Sequence, residues 1–332
     1  MSQLDEALKR SRLEQMSPAG PSRVSSLEES AAARRSAAFV SAWELHRFGE
    51  AEREPVENLV TAPEEKRRAA ALPSAAAAGT PEIVVDPGSP LEPSWNFEET
   101  VLERLVVAET MESFVREQYR KLAAVLHQHQ EARHIGIVMI ASAAPAEGKS
   151  LTAANLALTL SESYRRRVLL IDADLRRPML HHIFNVPKAA GLNEGLKSAA
   201  EIRLPIVRIS PQLWLLPGGS PDADPLGGLT SDRMHRLIAE ARTEFDWVIL
   251  DTPPVALLPD AKLVAGMADA AVLVIKAGST PCALAQRTID AIGRERIVGV
   301  VLNQSSAKAS AVDYGYGDYY RAYNDDGGRS EA

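Results

Sequence analysis

Unbroken runs of apolar residues recur along the chain from about residue 135 onward. Because these runs lack polar alternation, they predict strands buried on both faces, at 135–142, 167–172, 247–251, 270–277 and 297–303. Amphipathic stretches predict helices at 103–130, 149–163, 232–244, 261–267 and 283–294, and a short strand pair is predicted within 205–217. Strands alternating with helices predict an α/β fold, with a mostly parallel sheet covered by helices on both faces.

The first 95 residues have a different composition. They are rich in proline and alanine and poor in aromatic residues, so we expect them to be largely disordered with short helices. Ser26 and Glu29 form a capping-box pattern that predicts one such helix running towards Phe39 and Trp43, and a similar pattern begins at Ser2. The chain therefore divides into three segments, 1–95, a nucleotide-binding α/β domain over 96–310, and a tail over 311–332.

Three of the predicted strands end in residues suited to binding phosphate or metal. The first strand leads into Ala-Pro-Ala-Glu-Gly-Lys-Ser (144–150), a loop before a helix whose backbone N–H groups can cradle phosphates. The second ends in Asp-Ala-Asp-Leu-Arg (172–176), and the third ends in Asp-Thr-Pro-Pro (251–254). The carboxyl ends of strands are where an open α/β sheet binds its ligands.

In this order the three motifs resemble the Walker A, Walker A′ and Walker B motifs of the bacterial tyrosine kinases, a branch of the P-loop NTPases. The resemblance covers about residues 96–323. It implies an ATP- and Mg²⁺-dependent kinase that phosphorylates tyrosines near its own C-terminus. It also implies a role in exopolysaccharide synthesis and export.

The residues themselves suggest roles in phosphoryl transfer, which depends mainly on positioning and charge neutralisation. Lys149 is predicted to contact the β- and γ-phosphates together with the backbone of the loop. Asp172 is the preferred acceptor of the tyrosine proton, and Asp174 is the alternative. The predicted Mg²⁺ ligands are Ser150, Asp174 and Asp251. The predicted nucleotide-binding residues are Glu147, Gly148, Lys149, Ser150, Leu151, Arg176 and Asn303.

Two of these assignments have alternatives. Arg176 and Arg177 are predicted to steady the phosphates or an acidic tail, or else to form a surface ion pair. For Asn303, the resemblance implies contact with the adenine base, whereas the residue alone indicates a turn at the end of a strand.

The tail contains a dense cluster of tyrosines. Five of the seven tyrosines in the chain lie among glycines and aspartates that would not form a core, at Tyr314, Tyr316, Tyr319, Tyr320 and Tyr323. A tail of biased composition need not have any role. Beside a phosphate-binding loop, however, an exposed tyrosine string is a suitable phosphoryl acceptor, and the resemblance implies transfer between neighbouring subunits.

Charge and cysteine content narrow the choice of partners and compartment. A formal net charge of −7 with mixed acids and bases argues against a nucleic-acid-binding surface. A single cysteine, Cys282, excludes an intrachain disulfide and fits a reducing compartment. With no bilayer-spanning apolar run and no signal-peptide core, we expect a cytoplasmic protein that reaches the inner face of the membrane through a partner.

The resemblance also indicates which partners to expect. The chain is similar to the stand-alone form of the family, including the exosortase-associated autokinases, which pairs with a separate chain-length-determinant (Wzz-like) membrane protein as activator. A cognate phosphatase and a homo-oligomer are implied as well. Glu117 and Arg120 match a Glu-x-x-Arg-x-x-Arg ring-assembly motif, in which Ala123 replaces the last arginine.

Two other functions are compatible with the motifs. One is a partitioning ATPase of the ParA/MinD type, although the signature lysine position of that group is Ala144 here and such proteins lack a tyrosine tail. The other is a non-catalytic, nucleotide-gated scaffold, because Ala146 replaces a glycine found in many family members. A positive φ at Ala146 would strain the phosphate-binding loop.

Overall fold

A single sheet organises the protein. The computed structural model describes residues 35–41, 97, 99–188, 190–198, 204–256 and 259–306. The strands in these residues are β1 (Arg35–Ser41), β2 (Ile137–Ser142), β3 (Val168–Asp172), β4 (Val207–Ser210), β5 (Leu213–Leu216), β6 (Trp247–Asp251), β7 (Ala270–Lys276) and β8 (Ile297–Ser306). They form an eight-stranded sheet in the order β1-β8-β7-β2-β6-β3-β5-β4. The inner pairs are parallel, whereas β1 with β8 and β4 with β5 are antiparallel, which confirms the predicted mostly parallel sheet.

Helices cover both faces of the sheet. In the described residues the α-helices are α1 (Glu99–Leu102), α2 (Ser113–Arg133), α3 (Lys149–Leu158), α4 (Leu180–Ile183), α5 (Leu192–Lys197), α6 (Leu226–Leu229), α7 (Asp232–Glu244), α8 (Asp260–Met267) and α9 (Cys282–Ile292). A π-helical turn (Thr159–Ser163) continues α3, and a 3₁₀ turn (Arg294–Arg296) follows α9. Side chains of α2 and α3 pack on one face, where Val138 and Ile140 of β2 point, and α7, α8 and α9 pack on the other with Ile137 and Met139. None of the described helices is long and apolar enough to cross a bilayer.

The long helix before the first parallel strand begins later than predicted. The sequence predicts a helix from residue 103, whereas α2 begins at Ser113 and residues 103–112 form turns. The reason is a tertiary contact, because the buried Asn155 side chain of α3 binds the backbone of this stretch. Its Oδ1 accepts from the Val106 N–H at 2.8 Å, and its Nδ2 donates to the Arg104 carbonyl at 3.0 Å.

Within the N-terminal segment, residues 35–41 form a strand, so the prediction of a helix running through Phe39 is wrong. The capping-box pattern at Ser26 lies outside the described residues. The outer edge of β8 explains the difference, because the edge strand of a sheet provides a template for another strand, and β1 pairs with it. Pairing with β8 thus overrides the local helical pattern.

The three motif-bearing strands are neighbours in the sheet. β2, β6 and β3 lie side by side and parallel, so their carboxyl ends meet at one edge. The Cα atoms of Asp172 and Asp251 are register partners at the ends of β3 and β6. The fold therefore brings the three sequence motifs to one place.

Candidate active site

A buried carboxylate shapes the loop between β2 and α3. The Glu147 side chain is 2 % exposed, and its Oε2 accepts from the backbone N–H groups of Ala143 at 2.7 Å and Ala144 at 2.9 Å. The hydroxyl of Thr280 donates to its Oε1. These contacts turn the side chain inward, so the part of Glu147 that remains available to a phosphate is its backbone. Neither Thr280 nor this clamping role was apparent from the sequence, where no motif marks them.

Two residues of this loop adopt a left-handed backbone conformation. Gly148, which precedes the first residue of α3, has φ +93°, and a Cβ there would lie 2.0 Å from the Nδ2 of Asn303. Ala146 has φ +60°. The strain expected from the glycine replacement at this position is therefore present, since a residue with a Cβ enters this region at a cost of about 1–2 kcal/mol.

Replacing Ala146 with glycine should stabilise the protein. Glycine removes the left-handed strain but loses more backbone entropy on folding, so we expect a net gain of about 0.5–1 kcal/mol in the free energy of unfolding. Urea unfolding of the nucleotide-free protein measures it. Ala144→Gly is the matched control, because Ala144 is not among the residues with positive φ and should lose stability on the same change. Equal losses for the two variants would show that Ala146 is unstrained in solution.

Lys149 lies between the carboxylates at the strand ends. Its Nζ is 2.8 Å from Oδ2 of Asp174 and 3.4 Å from Oδ1 of Asp251, and its side chain is 11 % exposed. Burial lowers the pKa of Lys149, but the negative charges of Asp251 and Asp174 outweigh burial, so the net pKa is raised. The ammonium therefore stays charged at neutral pH and offsets part of the negative charge of the cluster.

Asp172 is fully buried and only half satisfied. Its Oδ2 accepts from the backbone N–H groups of Met179 at 2.8 Å and Leu180 at 2.9 Å, while its Oδ1 has no hydrogen-bond partner in the structure. Burial, followed by the nearby charge of Asp251, raises the pKa of Asp172 to about 8. A carboxyl group with a raised pKa and one unoccupied oxygen is suited to accepting a proton near neutral pH.

The predicted Mg²⁺ ligands lie close together. Asp251 is fully buried, its Oδ2 has no hydrogen-bond partner, and its carboxylate receives a hydrogen bond from the Ser150 side chain. Burial raises the pKa of Asp251, and Lys149 opposes that rise. In the described residues no group of three or more His, Cys, Asp and Glu side chains forms a metal site. Two carboxylates and a hydroxyl nevertheless fit Mg²⁺, which usually completes its coordination with water and phosphate oxygens.

Comparison with known proteins identifies the family. Residues 138–314 match the model of the CobQ/CobB/MinD/ParA nucleotide binding domain. The tyrosine-protein kinase YwqD of Bacillus subtilis is 34% identical over 219 residues, which cover 65% of this chain and 92% of the relative. The chain belongs to the bacterial tyrosine kinases.

Other relatives extend the comparison. The succinoglycan biosynthesis transport protein ExoP of Rhizobium meliloti is 33% identical over 235 residues, 66% of this chain but 30% of the relative. The solved kinase domain of the Escherichia coli tyrosine kinase ETK superposes with a TM-score of 0.53 at 30% identity, covering 56% of this chain and 74% of that one. The family resemblance expected from the sequence is thus confirmed.

In this bacterial tyrosine kinase the guanidinium of Arg176 is already engaged. Its Nε and Nη2 lie 2.5 Å and 3.2 Å from the two carboxylate oxygens of Asp260, and its Nη1 donates to the Ala223 carbonyl. Asp260 is fully buried, so the partner is not a surface residue. Arg176 can contact a phosphate only if this ion pair opens, and the alternative prediction of an ion pair fits the observed contacts better. Arg177 is exposed, and its N–H donates to Asp174 Oδ1 at 3.2 Å.

The remaining predicted site residues fall into two groups. Asn303 lies against the loop, and its Nδ2 donates to the Glu147 carbonyl at 2.8 Å, while Leu151 packs partly buried against the core. The structure thus places Asn303 against the phosphate-binding loop, and its predicted contact with the adenine base stays a prediction. The five tail tyrosines lie outside the described residues.

Proposed function

We propose that this bacterial tyrosine kinase uses ATP·Mg²⁺ to phosphorylate its own tyrosine cluster, Tyr314 to Tyr323. The observation that carries the proposal is the convergence of Lys149 with three carboxylates at the ends of β3 and β6, beside a phosphate-binding loop. A site that only binds nucleotide needs the loop and the lysine. A fully buried Asp172 with an unoccupied oxygen supplies in addition a group able to accept the tyrosine proton.

Each residue has a distinct proposed role. The loop backbone and Lys149 bind the β- and γ-phosphates, and Ser150, Asp174 and Asp251 would hold Mg²⁺, which neutralises phosphate charge when it is bound. Asp172 accepts the proton from the tyrosine hydroxyl. Asn303 retains a second amide hydrogen beyond the one donated to Glu147, and we assign that donor to the adenine base.

The two tyrosines of the α/β domain are poor acceptors by comparison. Tyr119 is 6 % exposed, and burial raises the pKa of its hydroxyl. Hydrogen bonds with Asn155 and Thr152 lower that pKa by less than burial raises it. The hydroxyl of Tyr164 donates to the Arg120 carbonyl at 3.0 Å. Both hydroxyls would have to leave protein partners before reacting, which favours acceptors in the tail.

Incubation of the purified protein with Mg-ATP should place phosphate within the segment 314–323. Anti-phosphotyrosine detection and mass spectrometry measure it, and a variant with all five tail tyrosines changed to Phe is the control. Phosphate on Tyr119 or Tyr164 alone, or on no tyrosine, would contradict the proposal. ATP hydrolysis without phosphotyrosine would support a partitioning-type ATPase, and nucleotide binding without either activity would support a scaffold.

We further propose that the phosphorylation cycle regulates exopolysaccharide synthesis or export. The relative ExoP is a succinoglycan biosynthesis transport protein, which supports a related process here. The implied partners are a chain-length-determinant membrane protein as activator, which would hold the kinase at the inner face of the membrane, and a cognate phosphatase. For a homo-oligomer, the exposed Glu117–Arg120 pair on α2 offers a contact, whereas the arginine missing at Ala123 would occupy a fully buried position.

A further inference from the structure

The outer edge of β8 is covered by a strand from a distant part of the chain. β1 pairs antiparallel with β8 from Ser41↔Gly299 to Arg35↔Ser306. β8 carries the buried apolar residues Val300 and Val301, and such an edge without a partner would pair with other chains. Residues 35–41 therefore occupy a site where a strand is needed.

The pairing changes register opposite the residue that contacts the phosphate-binding loop. The partners Ala38↔Leu302 and Ser36↔Ser305 are separated by one residue on β1 but by two, Asn303 and Gln304, on β8. Gln304 has φ +59°, and its N–H donates to the Asn303 Oδ1 at 2.9 Å. β1 thus holds β8 on both sides of a bulge that contains Asn303.

The Asn303 side chain in this bulge also contacts the phosphate-binding loop. The Asn303 Nδ2 donates to the Glu147 carbonyl, and a Cβ on Gly148 would lie 2.0 Å from that nitrogen. The pairing of β8 with β7 ends at Lys276↔Asn303. Beyond Asn303, the strand partner of β8 in the described residues is β1.

We propose that the β8 edge is a strand-docking site for residues 35–41 of the same chain, and that docking sets both nucleotide affinity and the starting point of the tail. Docking fixes the bulge, and the bulge places the Asn303 amide on the loop. Residues 42–96, 55 positions, join β1 to the buried Phe97, which packs on Phe184, and a strand tethered in this way docks in its own chain at high effective concentration.

The same docking holds the root of the tyrosine tail. β8 ends at Ser306, eight residues before Tyr314. Tyr314 can therefore lie at most about 28 Å from the end of β8. Release of β1 would remove the strand pairing of Ser305 and Ser306, so the docked strand limits that reach. This part rests on the proposed autophosphorylation, whereas the effect on nucleotide affinity does not.

The test undocks the strand in the full-length protein. Adjacent residues of a strand direct their N–H groups to opposite sides, so one of Ala38 and Phe39 directs its N–H group towards β8. The double substitution Ala38→Pro with Phe39→Pro therefore removes one donor that faces β8. Amide hydrogen exchange at residues 302–306 should become about tenfold faster or more. The dissociation constant of a fluorescent ATP analogue should rise by about two- to tenfold, the range of one lost hydrogen bond.

Two controls separate docking from general damage. Ala70→Pro with Ala71→Pro makes the same change in the linker and should alter neither measurement. A peptide of residues 33–43, added to the Ala38→Pro/Phe39→Pro protein, should restore slow exchange and affinity. Unchanged exchange in the proline variant would overturn docking, and altered exchange with unchanged affinity would overturn the link to the nucleotide site. Neither result contradicts the proposed phosphorylation of the tail, which is tested by a separate measurement.

Crosslinking identifies the occupant. Ala38→Cys and Leu302→Cys place cysteines at register partners, in a Cys282→Ser background that removes the native thiol. Oxidation should yield a crosslinked monomer. A crosslinked dimer would overturn docking within the same chain and would assign the strand to a second copy.

Discussion

Replacing Lys149 with methionine is expected to abolish phosphotyrosine formation and to weaken ATP binding. The ammonium lies within 3.4 Å of both Asp174 and Asp251 and is the cation predicted to meet the phosphates. Loss of a preorganised charged donor should lower the phosphoryl-transfer rate by about 100-fold or more. The dissociation constant for ATP should rise by about tenfold or more, since a hydrogen bond to a charged group is lost.

Arg287→Met is the matched control for Lys149→Met. Arg287 is an exposed cation on α9, outside the three motifs that form the site. Phosphotyrosine formation and ATP binding in this variant should stay close to those of the wild-type protein. Comparable losses in both variants would mean that a general loss of positive charge, rather than the position of Lys149, determines activity.

The Asp172→Asn variant should bind ATP normally but transfer phosphate slowly. An amide oxygen can still accept from the N–H groups of Met179 and Leu180, so the local fold should persist. An amide cannot accept the tyrosine proton, and the loss of a general base should cost about 10²- to 10⁴-fold in rate. Single-turnover phosphotyrosine formation measures the step, with Asp290→Asn, an exposed carboxylate on α9, as control. Near-normal turnover would show that Asp172 is not the base and would favour Asp174.

The raised pKa of Asp172 gives the same variant a second measurable property. In metal- and nucleotide-free protein, folding raises the pKa of Asp172. Between the unfolded-state pKa and the folded-state pKa, the folded protein therefore binds more protons than the unfolded chain. The free energy of unfolding therefore falls as pH rises towards about 8, the pKa of Asp172. Denaturant unfolding in EDTA between pH 6 and 9 should show this fall for the wild type and a flatter profile for Asp172→Asn.

The central part of the fold could be predicted because its signals are local. The ends of β3 and β6 at Asp172 and Asp251 were predicted to the residue, since buried parallel strands read as unbroken apolar runs. The proximity of the three motifs also followed, because parallel strands end at one edge of the sheet. Local signals and the overall topology agree at these positions.

What could not be predicted depends on contacts distant in sequence. The start of α2 is set by Asn155, and the conformation of residues 35–41 is set by the edge of β8 more than 250 residues later. The partner of Arg176 is Asp260, 84 positions away. An arginine after a Walker-type aspartate has the same appearance in the sequence whether it meets a phosphate or a buried carboxylate.

The ion pair of Arg176 has a mechanical consequence. Arg176 follows β3, Ala223 follows β5, and Asp260 begins α8 after β6, so one guanidinium joins the connections that leave three strands. These connections carry or adjoin the carboxylates of the site, and they cannot shift independently while the guanidinium holds them. A displacement of any one connection, caused by nucleotide, tail or partner protein, would therefore displace all three. The carboxyl edge of the sheet should therefore respond as a single cooperative unit.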